Sequence, residues 1–155
     1  MEQISDFIRL RGAFQIALLD PTGKVLEKHL VDNTVVTVGR VFVLKQLQSV
    51  NIDTARTISH MGIGSGTVAP TTGNTGLGNE VTRLAIASFD TALLTANPPS
   101  WVAQCTYATS DANTTLGEVA LFNSSAAGTM LARATFASFV KATSNTLAIS
   151  YTISG

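Results

Sequence analysis

The sequence predicts a mainly β fold: an antiparallel β-sandwich with an N-terminal hairpin and arm and one short α-helix. Three observations point there. The C-terminal stretch alternates, with Leu147, Ile149, Tyr151 and Ile153 separated by Ala148, Ser150 and Thr152, which sets one apolar row on one face of a sheet. Similar short runs recur through the second half, separated by clusters of Gly, Ser, Thr, Asn and Asp. A helical period is convincing in only one place, shortly before residue 50.

The elements follow in order. Residues 1–11 form an amphipathic stretch in which Ile4, Phe7 and Ile8 share a face if helical. So short a helix does not hold alone, so this arm is expected to dock on its own domain or on a neighbour. The rest, 12–155, is expected to be a single sandwich domain. Ala13 to Leu19 reads as a strand with Phe14, Ile16 and Leu18 on one face. Asp20-Pro21-Thr22-Gly23 is a turn: proline presets φ and glycine supplies the positive φ. Lys24 to Asp32 returns antiparallel and completes the hairpin.

Thr37 is expected to cap a helix over about Val38 to Ser49. Its broad apolar face is Val38, Val41, Phe42 and Leu44 or Lys45 through Leu47. Its β-branched residues weaken it, so packing must stabilise it. Val50 to Thr57 is a polar connection and Ile58 to Ile63 a short strand. Gly64 to Glu80 is a long loop of Gly, Ser, Thr, Pro and Asn, of the length usually reserved for contact or function. Further strands are expected over Thr82–Leu93, Trp101–Thr109, Glu118–Phe122, Met130–Phe136 and Thr146–Ile153.

Composition narrows the function. The chain has 155 residues, 45% hydrophobic but only 13% charged. Average proteins carry about 25% charged residues. A neutral surface rich in Ser, Thr, Ala and Gly suits protein contact, because burying few charges costs little desolvation. Ten basic residues balance ten acidic ones, which argues against nucleic acid as partner. No apolar run reaches membrane-span length. The acidic N-terminus, with Glu2 and Asp6, does not read as a secretory leader, so synthesis in a cytoplasm is expected. Asn113-Thr114-Thr115 and Asn123-Ser124-Ser125 then read as turns. The single cysteine, Cys105, excludes an internal disulfide and reads as a small buried hydrophobe.

The motifs that carry chemistry are sparse. Gly62-Ile63-Gly64-Ser65-Gly66-Thr67 lacks the glycine spacing of a dinucleotide fingerprint and the lysine of a phosphate loop. It reads as a place where backbone approaches closely. His29 and His60 stand in different strands without companion ligands, so no metal and no cofactor is expected. Asp90 and Glu118 are acid candidates only by elimination. Glu118 enters the apolar run Val119-Ala120-Leu121-Phe122, and Arg83 or Arg133 is its expected ion-pair partner. Trp101 and Tyr107 share a parity and could stack bases or sugars, but they read better as core. No catalytic residue is assigned.

The layout resembles a known family. It runs from Asn33-Thr34-Val35-Val36-Thr37-Val38-Gly39-Arg40 through Met61-Gly62-Ile63-Gly64-Ser65-Gly66-Thr67 with Ala69-Pro70, then Leu77-Gly78-Asn79-Glu80 and Arg83. Glu118-Val119-Ala120-Leu121-Phe122 and Gly128-Thr129-Met130-Leu131-Ala132-Arg133 follow. The order, from Gly12 onward, is similar to capsid cement (decoration) proteins of tailed bacteriophages. Similar sequences also occur as tail or fibre components. The resemblance implies a non-enzymatic virion protein on the capsid exterior. It would form a homo-oligomer, commonly a trimer, and bridge major capsid protein subunits. Expected contact residues are Ile4, Phe7 and Ile8 in the arm, and Gly66, Val68 and Pro70 in the long loop. The alternatives are a tail, baseplate or fibre-attachment protein, and an enzyme such as a cell-wall hydrolase with two acids in a cleft.

Overall fold

The structure, a computed structural model, describes residues 10–47 and 57–155. It is the antiparallel sandwich the sequence predicts, with two five-stranded sheets. The arm residues Ile4, Phe7 and Ile8, the last two residues of the expected helix, Gln48 and Ser49, and most of the Val50–Thr57 connection lie outside the described residues.

Strands β1 (Arg11–Leu19) and β2 (Val25–Asp32) form the hairpin. Its turn is as expected. Gly23 N–H donates to the Asp20 carbonyl, Gly23 has φ of 84°, and Asp20 Oδ1 accepts from the N–H groups of Thr22 and Lys24. After a two-residue strand, β3 (Thr34–Val35), comes α1 (Thr37–Leu47). Then follow β4 (His60–Gly64), β5 (Glu80–Ala85), β6 (Ser88–Asp90), a 3-10 turn at Ala92–Thr95, β7 (Ser100–Tyr107), β8 (Thr115–Phe122), β9 (Met130–Val140) and β10 (Thr146–Ser154). One sheet, A, is ordered β2-β1-β10-β7-β6, and the other, B, β3-β9-β8-β4-β5. The first and last long strands therefore pair, Phe14 opposite Tyr151 and Ile16 opposite Ile149.

The two sheets differ in how their faces are used, and the sequence differs with them. Sheet A buries one face. Phe14, Ile16 and Leu18 on β1, Ala103, Cys105 and Tyr107 on β7 and the alternating row of β10 all meet the inter-sheet core. The partners between them stay toward solvent, which is why these strands alternate cleanly. Sheet B buries both faces. Leu116, Val119 and Leu121 enter the main core, while Ala120, Phe122 and Met130 join Val36, Val38 and Leu77 in a second cluster on the other side. A strand covered twice reads as a continuous apolar run, and Val119-Ala120-Leu121-Phe122 is that run.

Three expectations are corrected. The strand expected over Thr82–Leu93 is two strands in different sheets. The switch falls at Ile86–Ala87: Ile86 N–H donates to the Ser59 carbonyl at 2.8 Å, and Ala87 N–H to the Gln104 carbonyl at 2.8 Å. Both strands are extended, so local propensity does not mark the break. Second, β8 begins at Thr115 rather than Glu118, and β9 runs on to Val140 rather than stopping at Phe136, because the two pair with each other through Thr115 and Val140. Third, Thr37 is the first helical residue rather than the cap. Arg40 N–H donates to the Val36 carbonyl at 3.0 Å, which puts Val36 at the cap position, and the Thr37 N–H is taken by the Thr72 carbonyl at 2.8 Å.

The helix also packs differently from its pattern. Gly39 and Phe42 are buried, but Val41, Leu44 and Leu47 are exposed at 45%, 60% and 74%. The helix follows β3 along β9, where Val36 N–H reaches the Leu131 carbonyl, and it blunts that edge of sheet B. A Cβ on Gly39 would strike the Leu131 backbone, so glycine sets how closely helix and strand approach.

Candidate functional site

The long loop between β4 and β5 folds back over the outer face of sheet B, and one buried ion pair holds it there. Glu118 and Arg133 sit on neighbouring strands of that face. Glu118 lies opposite Thr135, two residues from Arg133, and a two-residue offset places side chains on one side of a sheet within reach. Arg133 Nε and Nη2 donate to Glu118 Oε2 at 2.9 and 2.7 Å, and both residues are almost wholly buried. Of the two expected partners for Glu118, the structure therefore selects Arg133.

Three loop N–H groups complete the cage. Gly66 and Asn79 donate to Oε1 at 2.9 and 2.7 Å, and Gly78 to Oε2 at 2.9 Å. Arg133 uses its remaining donors on the same loop, reaching Asn74 Oδ1 and the Val68 carbonyl, each at 3.0 Å. Burial works against the charged carboxylate. The N–H groups of Asn79 and Gly78, the Arg133 guanidinium and the Gly66 N–H outweigh it and hold Glu118 below the ordinary carboxylate value. With five donors on two oxygens and no solvent access, this carboxylate is a structural anchor.

The glycine motif now has a physical reason. A Cβ on Gly66 would collide with the Glu118 carboxylate, and one on Gly64 with the Asn79 carbonyl and the same carboxylate. The spacing serves close backbone approach to an anion within the protein. Gly66 is half-buried against Glu118, Pro70 is half-buried, and Val68 stands 77% exposed at the crest. No charged residue occurs between Gly64 and Glu80. The Thr37–Thr72 hydrogen bond joins the loop to the start of α1, which carries the exposed Val41 and Leu44.

Arg83 has a separate task. It pairs with Glu80 through Nε and Nη2 at 2.8 and 2.7 Å, lies over the Phe122 ring, and donates to the Ser124 and Ala127 carbonyls at 3.0 and 2.8 Å. It secures the β8–β9 turn against β5. That turn also uses Asn123 as expected, its Oδ1 accepting the Thr129 N–H.

The other chemical candidates are dispersed. Asp90 is on β6 in sheet A, where its Oδ1 accepts the Ala92 N–H, while Glu118 is on the outer face of sheet B, so the two do not converge. His29 stacks on Phe139 and lies against Phe136, and His60 contacts Ser59 Oγ at 2.8 Å. Among the described residues no group of three or more His, Cys, Asp or Glu could hold a metal ion, and no helix is long and apolar enough to cross a membrane. Cys105 is buried and its thiol is pushed up to about 11, chiefly by desolvation. Tyr107 is buried with its hydroxyl on the Met61 carbonyl at 2.6 Å, tying sheet A to sheet B, and half-buried Trp101 packs on Phe89 and Tyr151. Both belong to the packing rather than to a stacking platform.

The sequence reading missed Lys141. It is buried, its Nζ donates to Asn113 Oδ1 at 2.8 Å, and its N–H donates to the Thr114 carbonyl, pinning the β7–β8 loop. Its one signal was a lone charge between Val140 and Ala142. No family model, no curated protein and no solved structure significantly matches this chain.

Proposed function

We propose that this protein is a non-enzymatic structural subunit of a tailed-phage virion. It binds the outer capsid surface as a cement protein and bridges major capsid protein subunits, in the oligomeric form, commonly a trimer, that its resemblance to that family implies. The observation that carries the reading is the anchored loop. A long uncharged segment is fixed to a doubly covered sheet by a caged ion pair, it presents an exposed Val68, and its Thr72 is hydrogen-bonded to the start of α1, which carries the exposed Val41 and Leu44. A preordered apolar surface loses little entropy when it docks, and little desolvation opposes it. Repeated across a shell, such contacts reinforce one another.

Quantitative mass spectrometry of purified virions tests this. The expected result is a copy number comparable with that of the major capsid protein. A handful of copies per particle would assign the protein to the tail, baseplate or fibre attachment instead.

A further inference from the structure

Among the described residues, the longest edge strand is β2, and its outer side is open. β2 is the outer strand of sheet A and has eight residues, whereas the opposite edge, β6, has three. In sheet B, β3 has two residues and passes into α1, and β5 at the other edge has six. Among the described residues, no hydrogen bond reaches the peptide groups of β2 from the side away from β1. Natural sheets rarely leave so long an edge uncovered.

The direction of those free groups can be worked out. Asn33 N–H donates to the Gly12 carbonyl at 3.1 Å, next to the Ala13–Asp32 pair. Peptide groups alternate along an antiparallel strand, so the odd-numbered residues of this stretch turn theirs toward β1. Lys28, Leu30 and Asp32 turn theirs outward. All three side chains are exposed, Leu30 at 73%, and neither Lys28 nor Asp32 has an ion-pair partner among the described residues.

We infer that β2 pairs antiparallel with β2 of a second copy, about a two-fold axis through Leu30. This register sets Leu30 against Leu30 of the partner subunit. It places Lys28 opposite Asp32 of the partner subunit, and Asp32 opposite Lys28 of the partner subunit. Every outward peptide group from Lys28 to Asp32 then finds a partner, and both unpaired charges are matched twice by symmetry. Neighbouring registers do worse. An axis at Lys28 sets that lysine against itself, and one at Asp32 sets acid against acid. An axis at His29 puts Lys28 against a leucine and Asp32 against Leu26. The pairing joins the two copies of sheet A into one continuous sheet. Being two-fold, it leaves any three-fold assembly to other faces, and it holds whether or not the protein resides on a capsid.

The test uses the full chain in sedimentation and light scattering over a range from about micromolar to millimolar. The expected result is a mass that rises to two copies with concentration. Lys28→Asp and Asp32→Lys should each weaken self-association at least about tenfold, and the double exchange should restore it. Circular dichroism confirms that each variant folds. Amide exchange adds a residue-level reading: Leu30 should be protected only when paired, His29 and Val31 at every concentration. A chain that stays single at the highest concentration overturns the inference. So does an oligomer indifferent to Lys28→Asp, or a Leu30 amide protected at all dilutions.

Discussion

Glu118 binds three segments of chain at once. Its partners come from the start of the loop, from its end, and from the neighbouring strand, so removing the charge leaves Arg133 buried and uncompensated. Glu118→Gln and Arg133→Met should each lower unfolding free energy by about 3–5 kcal/mol. The double variant should cost clearly less than the sum, as read from a double-mutant cycle in urea. The same residue sets an acid limit. Its native pKa is below the ordinary 4.5, so the unfolded chain takes up a proton first as pH falls. Stability is therefore full above that value and is lost as pH drops through the lower native one. His60 acts at higher pH. Burial, and then Arg83, lower its pKa below 6.5, so protonation again favours the unfolded chain. Urea midpoints should fall first below pH 6.5 and more steeply below 4.5, and His60→Gln should remove the first decline alone. Asp20, lowered by its bonds to Thr22 and Lys24 in the hairpin turn, adds to the second.

Among the elements, α1 is the most informative, because its packing contradicts its pattern. An apolar face should have been buried, yet only Gly39 and Phe42 are, since the helix runs beside β9 instead of lying flat across a sheet. The close approach at Gly39 makes a sharp prediction. Glycine to alanine inside a helix normally gains about 0.5–1 kcal/mol. Here the new methyl meets the Leu131 backbone, and Gly39→Ala should instead destabilise by about 1–2 kcal/mol after the helical gain is subtracted. Denaturant unfolding decides the sign. The strand pair β5 and β6 teaches a related lesson: one extended run serves two sheets because Ile86 finds Ser59 and Ala87 finds Gln104.

For the whole molecule, the sandwich closes through its ends. β10 lies between β1 and β7, and Arg11 pairs with Ser154, so sheet A requires both termini of the domain. The arm expected over residues 1–11 overlaps this pairing, because Arg11 is the first residue of β1, so a deletion that spares sheet A must stop before Arg11. Deleting residues 1–9 should leave the unfolding free energy within about 0.5 kcal/mol of the full chain. Binding to capsids lacking the protein should weaken at least about tenfold, which a pelleting assay reads directly. Unchanged binding would remove the arm from the contact and leave the loop and helix as the surface to test.

Much of this architecture was legible beforehand. The row Leu147, Ile149, Tyr151 and Ile153 announced a one-sided strand, Asp20-Pro21-Thr22-Gly23 a hairpin, and Glu118 a buried charge seeking an arginine. These are local signals, fixed by backbone geometry and by the cost of stranding a charge. The identity of that arginine was not legible. Arg83 and Arg133 both lie in strands, and only register decided between them: Arg133 stands diagonally across from Glu118, while Arg83 stands opposite Gly62 and closes on Glu80. The sheet each strand joins, the break at Ile86–Ala87 and the exposure of Val41, Leu44 and Leu47 were decided in the same way. A strand's period is written in its own residues, but its neighbours are chosen by contacts between segments far apart in the chain.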